Sequence, residues 1–333
     1  MIYRRLVFVA FALAFVVVVF GAYVRLNDAG LGCPDWPGCY GHATVPQAQA
    51  MGAAAQDKFP GSGLEPRKAW IEMIHRYLAG TLGLLILAIA ILAWRRARSD
   101  SSTRVPWLQT ILVALVAFQA ALGMWTVTLL LKPAIVTLHL LGGMLTLSLL
   151  AWLALREMTW RPLPQKVAAA TWGPWAALAL VVAFCQILLG GWVSTNYAAL
   201  ACTDFPTCHG TFAPSADYQH GFHVFRELGM SPEGTPLSNA ALNAIHWTHR
   251  VGAVLTLLLV GGVGVAALRA DRLRPFALLV LVALALQIGL GIGNVLFLLP
   301  LGLAVAHNAG AAFLLIALLM LNFQLSHRHV SPA

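Results

Sequence analysis

Eight separate blocks of this chain are apolar enough, and long enough, to cross a bilayer. They fall near residues 6–24, 71–94, 107–130, 134–155, 172–195, 244–268, 275–298 and 301–324. A hydrocarbon core is roughly 30 Å thick and a helix rises about 1.5 Å per residue, so about twenty apolar residues span it. Within hydrocarbon each backbone polar group must be bonded inside its own segment, which makes these blocks helices. The composition agrees, with 59% hydrophobic and 10% charged residues and a mean hydropathy of +0.78, outside the range of soluble domains. The first block is too long for a signal peptide, and Tyr23-Val24-Arg25-Leu26 is no small-residue cleavage site, so it reads as a retained helix.

The formal net charge is +9, yet its placement argues for topology and against nucleic acid. Arg4, Arg5, Arg95, Arg96, Arg98, Arg104, Arg156, Arg161, Lys166, Arg269, Arg272, Arg274 and Arg328 all fall on one side, thirteen of the 21 basic residues. The positive-inside rule puts that side, and both termini, in the cytoplasm of an inner-membrane protein. The two long connections, about 25–70 and 196–243, are then external.

Those connections are copies. Gly21-Ala22-Tyr23-Val24 runs on through Asn27, Ala29 and Leu31 to Cys33-Pro34-Asp35-Trp36-Pro37-Gly38-Cys39 and Gly41. At an offset of 169, Gly190-Gly191-Trp192-Val193 runs on through Asn196, Ala198 and Leu200 to Cys202-Thr203-Asp204-Phe205-Pro206-Thr207-Cys208 and Gly210. Further on, Gln119 to Gly123 matches Gln287 to Gly291, His139 matches His307, and His75-Arg76 matches His249-Arg250. Each half carries four spans and therefore one orientation. The fold predicted is an all-α integral membrane protein of eight transmembrane helices. They form two tandem four-helix bundles, residues 1–160 and 161–333, related by a pseudo-two-fold axis along the membrane normal.

The repeat isolates four intramembrane histidines: His75, His139, His249 and His307, one in each even-numbered span. Every even span runs inward, and each histidine stands in its first turns, so all four share one depth. Imidazoles inside a bilayer are uncommon and face the bundle interior. Two neutral imidazoles on facing helices suit a haem iron held from both sides, pairing His75 with His139 and His249 with His307. Zinc fits less well, because neither pair has a third or fourth ligand beside it. Arg76 and Arg250 follow two of these ligands directly and are placed for haem propionates.

The halves differ beside the ligands. Glu72 stands one helical turn before His75, whereas the matching position before His249 is His246. A carboxylate at a haem edge can take up protons, so the first half is expected to carry the chemistry. His246 competes with His249 for iron, and the shared His-Arg dipeptide favours His249. Four of the five cysteines form two Cys-x5-Cys pairs in the external loops. Intraloop disulfides Cys33–Cys39 and Cys202–Cys208 are the default in an oxidising compartment, with a redox role for the first pair as the alternative. Cys185, within the fifth span, reads as a small buried apolar residue.

Together the Asn27 to Cys39 segment, Glu72-Met73-Ile74-His75-Arg76, His139, the second cysteine pair, His249-Arg250 and His307 resemble the haem A synthase family across all eight spans. The resemblance implies oxidation of the C8 methyl group of haem O to a formyl group through hydroxylated intermediates, giving haem A for terminal oxidases. It implies a permanent haem b between His249 and His307, substrate haem between His75 and His139, and a functional carboxylate at Glu72. Membrane lipid, haem O synthase, an electron acceptor such as quinone and a second copy of the chain are the partners expected. The alternative from the residues is a di-haem b cytochrome that only relays electrons to or from quinone.

Overall fold

The computed structural model describes residues 1–51, 53–99, 105–158 and 169–326. Arg104, Arg161, Lys166 and Arg328 of the basic set, and the expected boundary at 160/161, lie outside the described residues. Among those described, the regular structure is helical and eight helices are long and apolar enough to span a membrane. They are α1 Ile2–Leu26, α2 Pro66–Ser99, α3 Trp107–Thr128, α4 Pro133–Arg156, α5 Ala169–Thr195, α6 Asn239–Ala267, α7 Arg274–Leu296 and α8 Leu301–Ser326. The chain is a multi-pass membrane protein. In the most apolar window of each helix only 22–39% of residues are buried, so much apolar surface is left uncovered by protein, as a lipid solvent allows.

Local sequence sets the helix ends. Proline, which has no N–H to lose, stands in the first turn of α2, α4 and α7. The Ser238 hydroxyl accepts from the Ala241 N–H and caps α6. The α3–α4 turn places Leu130 and Leu131 at positive φ, and the α7–α8 turn does the same with Leu298 and Leu299. Leucine is strained there. The turn is held because the Leu131 N–H reaches back to the Thr126 carbonyl at 2.8 Å, and Leu299 to Asn294 at 2.8 Å.

The chain forms two compact units, Met1–Leu150 with Val224–Leu228, and Ala151–His223 with Gly229–Ala333. In the second, α5, α6, α7 and α8 each touch two neighbours and close a four-helix bundle. Its core is rich in small residues, among them Ala176, Ala179, Ala183, Ala277, Ala283 and Ala317, which let helix backbones approach closely. In the first unit α1 packs on α2 and α2 on α3, while Gly123 meets His139 and Gly143 meets Val18, bringing α4 against α3 and α1.

Candidate functional site: two histidine pairs beneath cysteine loops

Each of the four histidines rests against a glycine of a neighbouring odd-numbered helix. A β-carbon at Gly21 would lie 3.0 Å from Cε1 of His75, at Gly123 3.4 Å from that of His139, at Gly190 3.0 Å from that of His249, and at Gly291 3.1 Å from that of His307. The glycines thus make the space in which the imidazoles sit. Within each unit the histidines lie in electrostatic reach of one another, His75 of His139 and His249 of His307. The Nδ1 atoms of His75, His139 and His307 are enclosed without a hydrogen-bond partner. An enclosed, unsatisfied ring nitrogen is costly in an apolar bundle and marks a place where something further is meant to bind or bond.

No group of three or more His, Cys, Asp or Glu residues that could cage a bare ion occurs among the described residues. Two-imidazole sites between apolar helices fit a haem, whose macrocycle supplies the remaining four donors. The donor set therefore fits the group inferred from the sequence.

Above each pair sits a disulfide-closed loop, built alike in both units. Cys33 is bonded to Cys39 and Cys202 to Cys208. In the first loop the Asp35 carboxylate accepts from the N–H groups of Tyr40 at 2.6 Å and Gly41 at 2.7 Å. In the second, Asp204 accepts from His209 at 2.6 Å and Gly210 at 2.9 Å. The Thr207 hydroxyl, the Gly210 N–H and the His209 N–H hold the Asp204 carboxyl well below the usual carboxylate range. Gly32 has no room for a side chain: a β-carbon there would lie 2.6 Å from the Lys68 carbonyl carbon of α2.

Arg76 and Arg250 bind these loops from below. Arg76 Nη1 donates to the carbonyls of Asp35 at 2.8 Å and Pro37 at 3.2 Å, and to that of Gly38. Arg250 Nη1 donates to the carbonyls of Asp204 at 2.8 Å and Thr207 at 2.7 Å, and Nη2 to that of Cys202 at 2.7 Å. Both guanidiniums therefore serve the loops, a use that the His-Arg dipeptide alone does not announce.

Glu72 is buried, with one oxygen accepting the Cys33 N–H at 2.8 Å and the other paired with Arg76. His246 occupies the same place in the second unit: Nδ1 lies 3.3 Å from the Cys202 N–H and Nε2 3.3 Å from Arg250 Nε. A carboxylate has acceptors for both donors, whereas a neutral imidazole has one. His246 is thus the counterpart of Glu72, engaged with loop and arginine, while His249 stands against Gly190 beside His307.

Two features escaped sequence reasoning. Cys185 is exposed on α5 and not buried as expected; a membrane-facing helix surface welcomes a small apolar thiol as readily as a core does. The second is Gln186, whose amide lies 3.0 Å from Nδ1 of His249. Its counterpart in the first half is Val17, so the repeat comparison hid it.

Comparison with known proteins gives this arrangement its context. A heme A synthase of Shewanella oneidensis is 44% identical over 317 residues, covering 95% of this chain and 94% of that protein. Heme A synthases of Caulobacter vibrioides and a Caulobacter species are 30% and 31% identical, each with 92% of this chain and 91% of the relative covered. Residues 4–319 match the family described as cytochrome oxidase assembly protein, and the chain belongs to that family.

Proposed function

We propose that this chain is a haem A synthase, oxidising the C8 methyl group of haem O to a formyl group by way of hydroxylated intermediates. The observation that carries the reading is an asymmetry between the two sites: a buried carboxylate, Glu72, one turn before His75, and an imidazole, His246, in its place before His249. The close relatives named above support it over the electron-relaying cytochrome, which no comparison favours.

In this reading His249 and His307 hold a haem b, which when bound supplies one-electron chemistry. His75 and His139 hold the substrate haem. Glu72 takes up protons released as the methyl group is oxidised, and Arg76 fixes the carboxylate in place. Arg76 and Arg250, which hold the cysteine loops, also put positive charge at the loop end of each site, where propionates need it. The disulfide-closed loops shield the two sites from water. The basic excess on the opposite connections supports an inner-membrane location with cytoplasmic termini. Haem O synthase as donor and quinone as electron acceptor fit a membrane-confined substrate and product.

The test is expression of the chain in a host that makes haem O but has no haem A synthase of its own. Chromatography of extracted haems is expected to show haem A and hydroxylated haem only in cells carrying the chain. Haem O alone, with haem b bound to the purified protein, would favour the electron relay.

A further inference from the structure

The four histidines are not held alike. In the second unit the Gln186 amide lies 3.0 Å from Nδ1 of His249 and donates to the His249 carbonyl at 2.9 Å. The Gln287 amide nitrogen lies 3.3 Å from Nε2 of His307. In the first unit neither imidazole has a side-chain hydrogen bond among the described residues. Nδ1 of His75 and of His139 is enclosed without a partner, as is that of His307 in the second unit, and so is the amide nitrogen of Gln119; His249 alone of the four has a side-chain amide at Nδ1 among the described residues.

The difference is written at two positions around each histidine. Gln119, Gln186 and Gln287 each stand four residues before the glycine that faces a histidine, and each meets a second glycine three residues after that histidine: Gly142, Gly252 and Gly310. A β-carbon at any of these three would overlap the glutamine side chain, so the glycine is the space the amide fills. Around His75 the corresponding residues are Val17 and Leu78. The polar residue and its glycine are both replaced, a matched exchange of an amide and a gap for two aliphatic side chains.

An imidazole that binds iron through one nitrogen carries its proton on the other, and a partner for that N–H fixes the ring plane and strengthens the ligand. The free nitrogen of an iron-bound ring is a donor, so the Gln186 amide would serve it turned end for end, its oxygen accepting from Nδ1–H in place of the nitrogen that now faces Nδ1 and donates to the His249 carbonyl. We propose that Gln186 is a positioning residue that locks the His249 imidazole of the resident haem, and that Val17 and Leu78, at the matching places in the first unit, leave His75 unlocked as the exchangeable ligand through which substrate haem enters and product leaves. The inference rests on the two-haem reading above. Exchange would need no electron or proton transfer, since His75 would release one haem and take up the next through the same ring nitrogen.

The test uses the full-length protein purified with its haems and mixed with excess apomyoglobin as haem acceptor, each phase being assigned by chromatography of the haem remaining. The parent is expected to give a fast phase carrying haem O or haem A and a slow phase carrying haem b. Gln186→Leu should speed the slow phase by roughly 10–100-fold, the usual effect of removing an outer partner of a metal ligand, and leave the fast phase alone. In the other unit, V17Q combined with L78G should slow the fast phase by about tenfold or more and shift the low-spin spectrum of the haem held there. Parental rates in either variant overturn the proposal, and the second needs no stability of the first. A His75→Ala protein that loses both phases in equal measure would overturn the two-haem reading itself, a result separable from equal rates at two intact sites.

Discussion

The Glu72 carboxylate accepts a 2.8 Å hydrogen bond from the backbone N–H of Cys33, 39 residues earlier in the chain. Through Arg76 the same carboxylate is tied to the carbonyls of Asp35, Pro37 and Gly38. The group proposed to handle protons is therefore also the one on which the disulfide-closed loop is seated. The two roles separate by mutation. Glu72→Gln keeps an oxygen for the Cys33 N–H but cannot take up a proton at neutral pH. Haem A in membrane extracts is expected to fall by roughly 10²-fold or more while the protein accumulates normally. Wild-type haem A from Glu72→Gln would remove the acid–base role. Glu72→Ala should in addition cost Arg76 its carboxylate while the loop carbonyls still hold the guanidinium, a loss of about 1.5–3 kcal/mol read as a lowered melting temperature.

His246 and His249 stand one turn apart in different surroundings, and the proposed reading gives the iron to His249. His246 is bonded to Cys202 and Arg250, whereas His249 lies against Gly190 in reach of His307. Purified His249→Ala is expected to contain little haem b. His246→Ala is expected to keep its haem b and to show faster proteolysis of the second cysteine loop. The reverse pattern would move the ligand by one turn.

The facing glycines give a steric test. A Gly190→Val side chain would occupy the space of the His249 ring, since even a β-carbon comes within 3.0 Å of Cε1. Haem b occupancy, measured by pyridine haemochrome against protein, should drop by about tenfold or more. Gly262→Val, on the same bundle where a β-carbon meets nothing within 4 Å, should leave occupancy at the parental level. Equal losses in the two variants would show a general packing defect.

One pH effect is expected in the second loop. The Asp217 side chain accepts from the His220 ring at 2.6 Å and caps the short turn Tyr218–Gly221. This bond, helped by Glu233, raises the His220 pKa, while the His220 N–H and ring lower that of Asp217. The histidine contribution is fully present below about pH 6.5 and is lost as pH rises through the raised value. The aspartate contribution is present above about pH 4 and is lost as pH falls through the lowered value. Hydrogen exchange in residues 217–223 should therefore be slowest between those limits, after correction for intrinsic rates. In His220→Gln the dependence above pH 6.5 should vanish; a profile unchanged by that substitution would contradict the pairing.

Much of this was legible in the residues. Twenty-residue apolar blocks leave one backbone solution in hydrocarbon, so the eight helices followed from length alone. The duplication gave the four histidines and the Glu72/His246 difference, because a position kept or altered between copies needs no outside alignment. What stayed hidden depends on contacts across the fold. Arg76 and Arg250 bind loop carbonyls some 40 residues away, and no spacing rule announces a guanidinium aimed at backbone. Leu130 and Leu131 adopt a conformation associated with glycine, sustained by helix-end hydrogen bonds that leucine gives no sign of making. Gln186 was hidden for another reason: its repeat partner, Val17, is one of the places where the copies diverged.

The central claim is that one chain carries two unlike haem sites, each clamped by its own histidine pair. Haem analysis of the purified parent, His139→Ala and His307→Ala tests it most directly. The account predicts that His307→Ala loses haem b and keeps haem O or haem A, and that His139→Ala keeps haem b and loses the others. Both haems falling in the same proportion in both variants, or neither falling in either, would contradict it.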